Sequence, residues 1–316
     1  VEALRIASGR GVKPHLCLAF SLDGGSYRFG IDTTPSKIVS GLLITHAHSD
    51  HYGKSAMRSP LAWASQETAW ALEIIHGQPF QGRTFQLGDS FEIGDVTIKT
   101  FPTLHTPGAA AYYWENENGT RFLVTGDVKT DKYLPRCDLL VTEANYGDPY
   151  DPECHFHEDL ELFREVVEDG DLALGAYRFG KSQRTVELLR EMGYTGEIGM
   201  DPVSLQLTRK LTKNTEPLTS HIEDINVTQP PGIRYKPHKN KYIVTARKNY
   251  CYPNIPISDH MNVQSLLGMV KKCSPEHVIV YHPRGPRPAK LARYLEEKEG
   301  IGATPLEKLE IGVGTP

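Results

Sequence analysis

The sequence predicts an α/β protein in which a strand-rich first part is followed by a smaller unit of alternating helices and strands. Three observations lead there. Up to about Gly147, short strand patterns alternate with Gly and Asn turns. From Asp148 to Ile243, helical and strand patterns follow one another in a βαβα rhythm, the pattern of a parallel sheet. Beyond Lys241–Arg247, read as a strand, come a helix, a strand and a last helix. With 316 residues, 39% of them hydrophobic, the chain can bury a large core, as one large domain or two medium ones.

The elements follow in order. Leu16–Phe20 and Tyr27–Ile31 flank Asp23-Gly24-Gly25 and read as a hairpin. Gly41–Thr45 is a short apolar run that ends at a histidine cluster. Ser65–His76 has helical periodicity with Ser65 as a candidate cap. Phe91–Phe101 alternates, and Tyr112–Trp114 and Phe122–Thr125 flank an Asn118-Gly119 turn; Leu139–Thr142 reads as a buried strand. In the middle stretch, helices are expected at Asp159–Glu168, Ser182–Met192 and Ser204–Leu211, and strands at Leu172–Ala176 and Gly196–Met200. Gln229-Pro230-Pro231-Gly232 marks a loop. Val263–Lys272 then reads as a helix, His277–Tyr281 as a strand and Ala289–Glu299 as a last helix. The expected limits are 1–147 and 248–316 for the two parts of the outer domain and 148–247 for the insert.

A net charge of −4 carries no global basic signal for nucleic acid, although a local basic groove fits within it. Five scattered cysteines without a CxxC pair read as reduced thiols, hence a cytoplasmic protein. No apolar stretch nears the ~18–20 residues that span a bilayer, and the first residues lack the pattern of a signal peptide.

The chemistry is concentrated in His46, His48, Asp50 and His51, within six residues directly after Leu42–Ile44. Alternate side chains of an extended or tightly looped backbone point the same way, so His46 and His48 can share one metal while Asp50 and His51 turn towards a second. Imidazole with a carboxylate suits zinc. Three further residues stand at strand ends: His105 in Leu104-His105-Thr106-Pro107-Gly108, Asp127 in Thr125-Gly126-Asp127, and His282 after His277–Tyr281. A lone strand-end His is more often structural, and a Gly-Asp pair is usually a turn. Their conjunction with the first cluster reverses that balance.

This series (HxHxDH, a His, a Gly-Asp, a late His) resembles the metallo-β-lactamase fold, two β-sheets face to face with helices outside, an αββα sandwich. The resemblance implies that His46, His48 and His105 hold one Zn2+, that Asp50, His51 and His282 hold the other, and that Asp127 bridges them, with Mn2+ as an alternative metal. It does not name a substrate. Glu143 in Leu140–Gly147, Gly180-Lys181 between a strand and a helix, Ser258-Asp259-His260 and the interposed unit resemble the β-CASP nucleases, whose extra motifs correspond here to Glu143, His260 and His282. The compact length and the TEANYG, GKSQR and SDH stretches are most similar to ligase-associated DNA exonucleases and archaeal RNA 3′-end processing factors. The His105–Ala109 segment is also similar to Artemis-like repair nucleases, where the late motif is usually valine.

The implied activity is hydrolysis of phosphodiester bonds of single-stranded DNA or RNA, from an end, in DNA repair or RNA processing. Asp50 would orient the attacking water as well as bind metal. His260 would protonate the departing sugar oxygen, with Glu143 holding its other nitrogen. Arg178, Lys181, Arg184 and Arg247 are candidate phosphate contacts, the helix N-terminus after Gly180 adding free N–H groups. Two rivals share part of the pattern. A glyoxalase- or lactonase-type hydrolase would use the metal residues but not Glu143 or His260. A non-catalytic nucleic-acid scaffold would be expected to lack metal residues that are all present here.

Overall fold

The computed structural model describes residues 2–6, 14–52, 54–282 and 285–312. They divide into two compact units, one made of 1–154 with 260–316 and the other of 155–259.

The first unit is built on two seven-stranded sheets. In one, Leu16–Leu22 and Gly25–Ile31 form the expected hairpin, and Gly41–Leu43, Ala62–Ser65 and Arg83–Phe85 continue the sheet in parallel. In the other, Ser90–Ile93 pairs with Val96–Pro102, which leads through Ala110–Glu115 and Arg121–Val124 to Leu139–Glu143, His277–Tyr281 and Gly302–Pro305. The alternation expected over Phe91–Phe101 is thus two strands, because Gly94 takes a positive φ and turns the chain after Ile93.

Side-chain period explains the layering. Along Ala110–Glu115, Ala110, Tyr112 and Trp114 enter the core shared by the two sheets, while Ala111 and Tyr113 face the other way. The shared core holds Phe20, Phe29, Trp114 and Phe122, with Trp114 stacked on Phe122 at 5.0 Å. Behind the second sheet, Ala111, Leu123, Leu140 and Val278 meet Leu266 and Val270 of helix Val263–Cys273 and Leu291 of helix Arg287–Tyr294. Beside the first sheet lies helix Gln66–His76, capped by Ser65, whose Oγ accepts from Thr68 N at 3.1 Å, an interaction worth ~1 kcal/mol. This is an α/β/β/α arrangement. The last expected helix, Ala289–Glu299, starts at Arg287 and passes after Tyr294 into a wider turn, Leu295–Glu299.

Strand direction places the site. Arg121–Val124, Leu139–Glu143 and His277–Tyr281 are parallel neighbours with Val124 opposite Val141 and Glu143 opposite Tyr281. Their carboxyl ends therefore deliver Asp127, Glu143 and His282 to one edge. In the first sheet, Ile31 lies opposite Leu43, so Asp32 and Thr45 leave the sheet side by side.

The second unit is a six-stranded, wholly parallel sheet with Leu172–Gly175 and Ile225–Thr228 at its centre. Its limits differ from the expected 148–247. Asn254–Ile255 pairs with Ile243–Val244 as an edge strand, which draws residues 248–259 into this unit, and the first boundary moves past Cys154. The strand expected at Lys241–Arg247 runs Asn240–Val244. Helix Val263–Cys273, which follows Ser258-Asp259-His260, is capped by Asn262.

Candidate metal centre

Construction starts at Asp32, which the sequence reasoning did not select. This residue ends strand Gly25–Ile31 with a positive φ and is 1% exposed. Its carboxylate accepts from Thr45 N at 2.8 Å, Thr45 Oγ1 at 2.7 Å and His51 Nδ1 at 2.8 Å. Three bonds from one buried carboxylate thus fix the loop that carries His46, His48 and His51. The signal available was an acid directly after a buried strand end, beside the strand that leads into the cluster.

His51 Nδ1 donates to Asp32, so its Nε2 points at Asp127 Oδ1, 3.2 Å away. The other oxygen of Asp127, Oδ2, lies 3.4 Å from His105 Nε2 and 3.6 Å from His46 Nε2. His48 Nδ1 is 3.0 Å from His105 Nε2. The donor atoms of His46, His48, His105 and Asp127 all lie within 4.8 Å of one another. The Gly before Asp127 is required: Gly126 has φ +60, and a Cβ there would meet Thr45 Cβ at 2.6 Å. Gly108 does similar work for the His105 loop. At φ +81 its carbonyl accepts from Ser65 Oγ and Thr68 Oγ1, tying the loop to the start of helix Gln66–His76.

Electrostatics sort these groups. Burial, then the neighbouring His51 and His105, hold His46 well below its usual range, so it is a neutral imidazole with a lone pair to give. Burial opposes charge on His51, but Asp127 and Asp32 outweigh it and hold the ring well above its usual range. Burial would likewise raise Asp127; His51, His105 and His260 keep it well below the carboxylate range.

Glu143, 3% exposed, ends strand Leu139–Glu143 beside this group. Its Oε1 accepts from Val128 N at 2.8 Å, and its two oxygens lie 2.8 and 3.0 Å from His260 Nδ1. Burial, then Asp127, push its carboxyl well up. His260 Nδ1 is 3.9 Å from Asp127 Oδ2, and Asp127, Glu143 and His260 form a second group of close donor atoms. Asn145, which sequence reasoning also passed over, joins the last two histidines: its Nδ2 is 2.7 Å from His260 Nε2 and its Oδ1 3.0 Å from His282 Nε2. Its position two residues beyond Glu143 was the only sequence signal.

The structure therefore brings together His46, His48, His51, His105 and Asp127, with Glu143 and His260 against them. Asp50 and His282 stand outside both donor groups. The Asn145 amide occupies His282 Nε2, and the Asp50 carbonyl is 3.4 Å from the Tyr281 hydroxyl that donates to it.

The expected phosphate contacts of the second unit are used differently. Lys181 Nζ is buried against Ile257 O at 3.1 Å and Asp259 Oδ1 at 3.0 Å. Arg184 pairs with Glu158 at 2.7 Å and with Ser258 O. At the helix N-terminus, Gly180 N donates to Gln183 Oε1 and Ser182 N to Tyr177 O. These cations and N–H groups are consumed by the fold of their own unit. Arg178 is half-buried at the end of Leu172–Gly175, and Arg247 is exposed past Asn240–Val244.

Residues 32–176 match the model of the Beta-lactamase superfamily domain. The chain is 24% identical over 287 residues to a probable DNA ligase of Opitutus terrae, covering 76% of this chain and 26% of that one. It is 26% identical over 204 residues to a ribonuclease of Thermus thermophilus, covering 52% and 46% of the two chains. The chain thus spans about a quarter and about half the length of these relatives. A crystal structure of a protein of unknown function from Enterococcus faecalis V583 superposes with a TM-score of 0.55 at 12% identity, over 83% of this chain and 78% of that one, a likeness of fold. Among the described residues, no helix is long and apolar enough to cross a membrane.

Proposed function

We propose that this chain, which carries a metallo-β-lactamase domain, is a metal-dependent phosphodiesterase that hydrolyses DNA or RNA. The observation that carries the reading is the pairing of a four-residue donor group, His46, His48, His105 and Asp127, with buried Glu143 and half-buried His260 at its side. A small-molecule hydrolase needs the first and has no use for the second. The names of the relatives, a ligase and a ribonuclease, support a polynucleotide substrate.

The residues fit divalent ions. His46 Nε2 and His51 Nε2 are buried beside the oxygens of Asp127, and the neutral His46 sets a lone pair against an acceptor there. Such a lone pair is satisfied by a cation. His46, His48 and His105 would hold one zinc ion, Asp127 would span to a second beside His51, and Asp50 and His282 would reach that second position by side-chain rotation. Bound there, divalent ions supply Lewis acidity, acidifying water and withdrawing charge from a phosphate.

The protein's own groups supply orientation and proton transfer. Asp32 holds His51 by Nδ1, so Nε2 is the atom that would meet a metal. Asp50 sits on the loop beside His51 and orients the water. Glu143 holds His260 by Nδ1, so the proton leaving the ring departs from Nε2, the atom now turned to Asn145, and goes to the departing sugar oxygen.

The test is digestion of matched DNA and RNA strands labelled at either end, with chelator and then with added zinc or manganese. Chelator-sensitive cleavage supports the reading, and stepwise products from one end identify an exonuclease. Failure to cut either strand with metal restored, together with hydrolysis of a thioester or lactone, would replace it with the small-molecule reading.

A further inference from the structure

The chain turns sharply after strand Leu139–Glu143. Ala144 N donates to Tyr281 O at 2.6 Å, and Gly147 N donates back to Ala144 O at 3.1 Å. Within this turn Asn145 is 7% exposed, and its amide meets His260 Nε2 at 2.7 Å and His282 Nε2 at 3.0 Å. An Asn side chain is too short to keep both partners if its backbone shifts. The positions of the two imidazoles relative to one another therefore depend on what holds the Asn145 peptide.

Arg287, at the start of helix Arg287–Tyr294, holds it. Its Nη1 donates to Asn145 O at 2.6 Å, and its Nη2 donates to Asp151 Oδ2 at 3.0 Å. The same guanidinium lies 5.6 Å over the ring of buried Tyr146, and that ring meets His260 edge to face with centroids 6.1 Å apart. Arg287 thus grips two residues that each meet His260. Its helix is anchored by Leu291 and Ala292, buried behind the sheet whose strands end in Glu143 and lead to His282. A planar fork suits this task, because it bonds a carbonyl and a carboxylate together where an ammonium is a single point charge. Direct contact with a substrate phosphate is the other use for an arginine here. Asp151, with Glu153 Oε2 at 3.8 Å, answers the charge and opposes that use.

We infer that Arg287 is a positioning residue for the reaction: by fixing the Asn145 peptide and the Tyr146 ring, it sets where the His260 and His282 imidazoles stand. The inference rests on the reading of His260 as the group that protonates the departing sugar oxygen. A reacting group misplaced by about 1 Å can cost about 10²-fold in rate, so loss of the clamp should appear in kcat.

Arg287→Ala, Arg287→Lys and, as a control, Lys290→Ala test this on the full chain with zinc supplied. Lys290 lies about one turn along the same helix and pairs with buried Asp148, so its loss removes a neighbouring tie to the same segment. On a labelled oligonucleotide, Arg287→Ala should lower kcat by about 10–100-fold and leave KM within about twofold. Arg287→Lys keeps a charge beside Asp151 and the fold with it, but cannot serve both acceptors, and its kcat should fall at least about threefold. Lys290→Ala should keep the parent's kcat whatever its melting temperature. Independently of turnover, the ring-nitrogen NMR signals of His260 and His282 should move in both Arg287 variants and stay in place in Lys290→Ala. Parental kcat in both Arg287 variants, or ring signals that move in neither, overturns the inference. A raised KM with unchanged kcat also overturns it, by making Arg287 a substrate contact, and so does an equal fall of kcat in Lys290→Ala, by reducing the effect to general loosening. A parent that cuts neither DNA nor RNA, with ring signals that still move in the Arg287 variants, would overturn the nuclease reading and leave the positioning role standing.

Discussion

Replacing Glu143 by glutamine separates proton chemistry from folding. In the native protein Glu143 accepts twice, from Val128 N at 2.8 Å and from His260 Nδ1 at 2.8 Å. Glutamine keeps an oxygen for Val128 but turns an N–H towards His260. The imidazole then has to present a lone pair at Nδ1 and carry its proton on Nε2, which faces Asn145 Nδ2 at 2.7 Å, donor against donor. Turning the Asn145 amide relieves that clash and moves its NH2 group onto His282 Nε2. One changed atom thus reverses the donor order from Glu143 to His282, and a mismatch left in place costs about 1–3 kcal/mol. If His260 is the general acid, turnover should fall by about 10²–10⁴, a barrier increase of about 3–5 kcal/mol. Glu143→Ala is a poorer test, because it strands the Val128 and His260 donors together. The assay is kcat and KM on a labelled oligonucleotide, with metal content and melting temperature of the same samples. The expected Glu143→Gln protein is folded, carries the parent's metal and has a depressed kcat with little change in KM. Loss of metal would make Glu143 a ligand with Asp127 and His260; parental turnover would remove it from the chemistry.

Three further outcomes follow from the same geometry. Asp127→Asn should abolish metal-dependent cleavage and lower bound zinc measured by mass spectrometry, since both oxygens of Asp127 face histidine nitrogens; a fully active variant would end its bridging role. Asp32→Asn should weaken metal affinity by about 10–100-fold, the usual effect of losing a carboxylate behind a histidine ligand, and a competition titration with a chromogenic chelator reads it. Asp138 is held below the usual carboxylate range by its hydrogen bond to Arg121. Because its folded value is the lower one, its stabilisation is present at neutral pH and lost as pH falls through that value. The difference in urea midpoint between parent and Asp138→Asn should therefore shrink from pH 7 towards pH 3, and a constant difference would refute the link.

The HxHxDH run was legible because one loop has to supply several nitrogens to a small volume, which compresses the signal into six residues. Helix Gln66–His76 and its Ser65 cap were legible for a similarly local reason. Asp32 and Asn145 were not, because each acts through bonds to residues 13 to 137 positions away, and neither bond leaves a pattern in its neighbours. Lys181 and Arg184 misled for the converse reason. A cation beside a Gly at a helix start looks like a phosphate contact until Glu158 and Asp259 of the same unit are placed against it. Segment 248–259 was assigned to the outer domain because the two-residue strand Asn254–Ile255 is too short to show periodicity.

The pairing of Leu139–Glu143 with His277–Tyr281 closes a loop that contains the entire second unit. Closure entropy rises only with the logarithm of loop length, by about 0.6 kcal/mol for each doubling, and a unit with its own core holds its ends without help from the strands outside. The distance along the chain between Glu143 and His282 is therefore a nearly free variable. An insert at this position can be lengthened, shortened or exchanged for another folded unit with little effect on the stability of the domain that carries the histidines, and the histidines stay in register whatever its size.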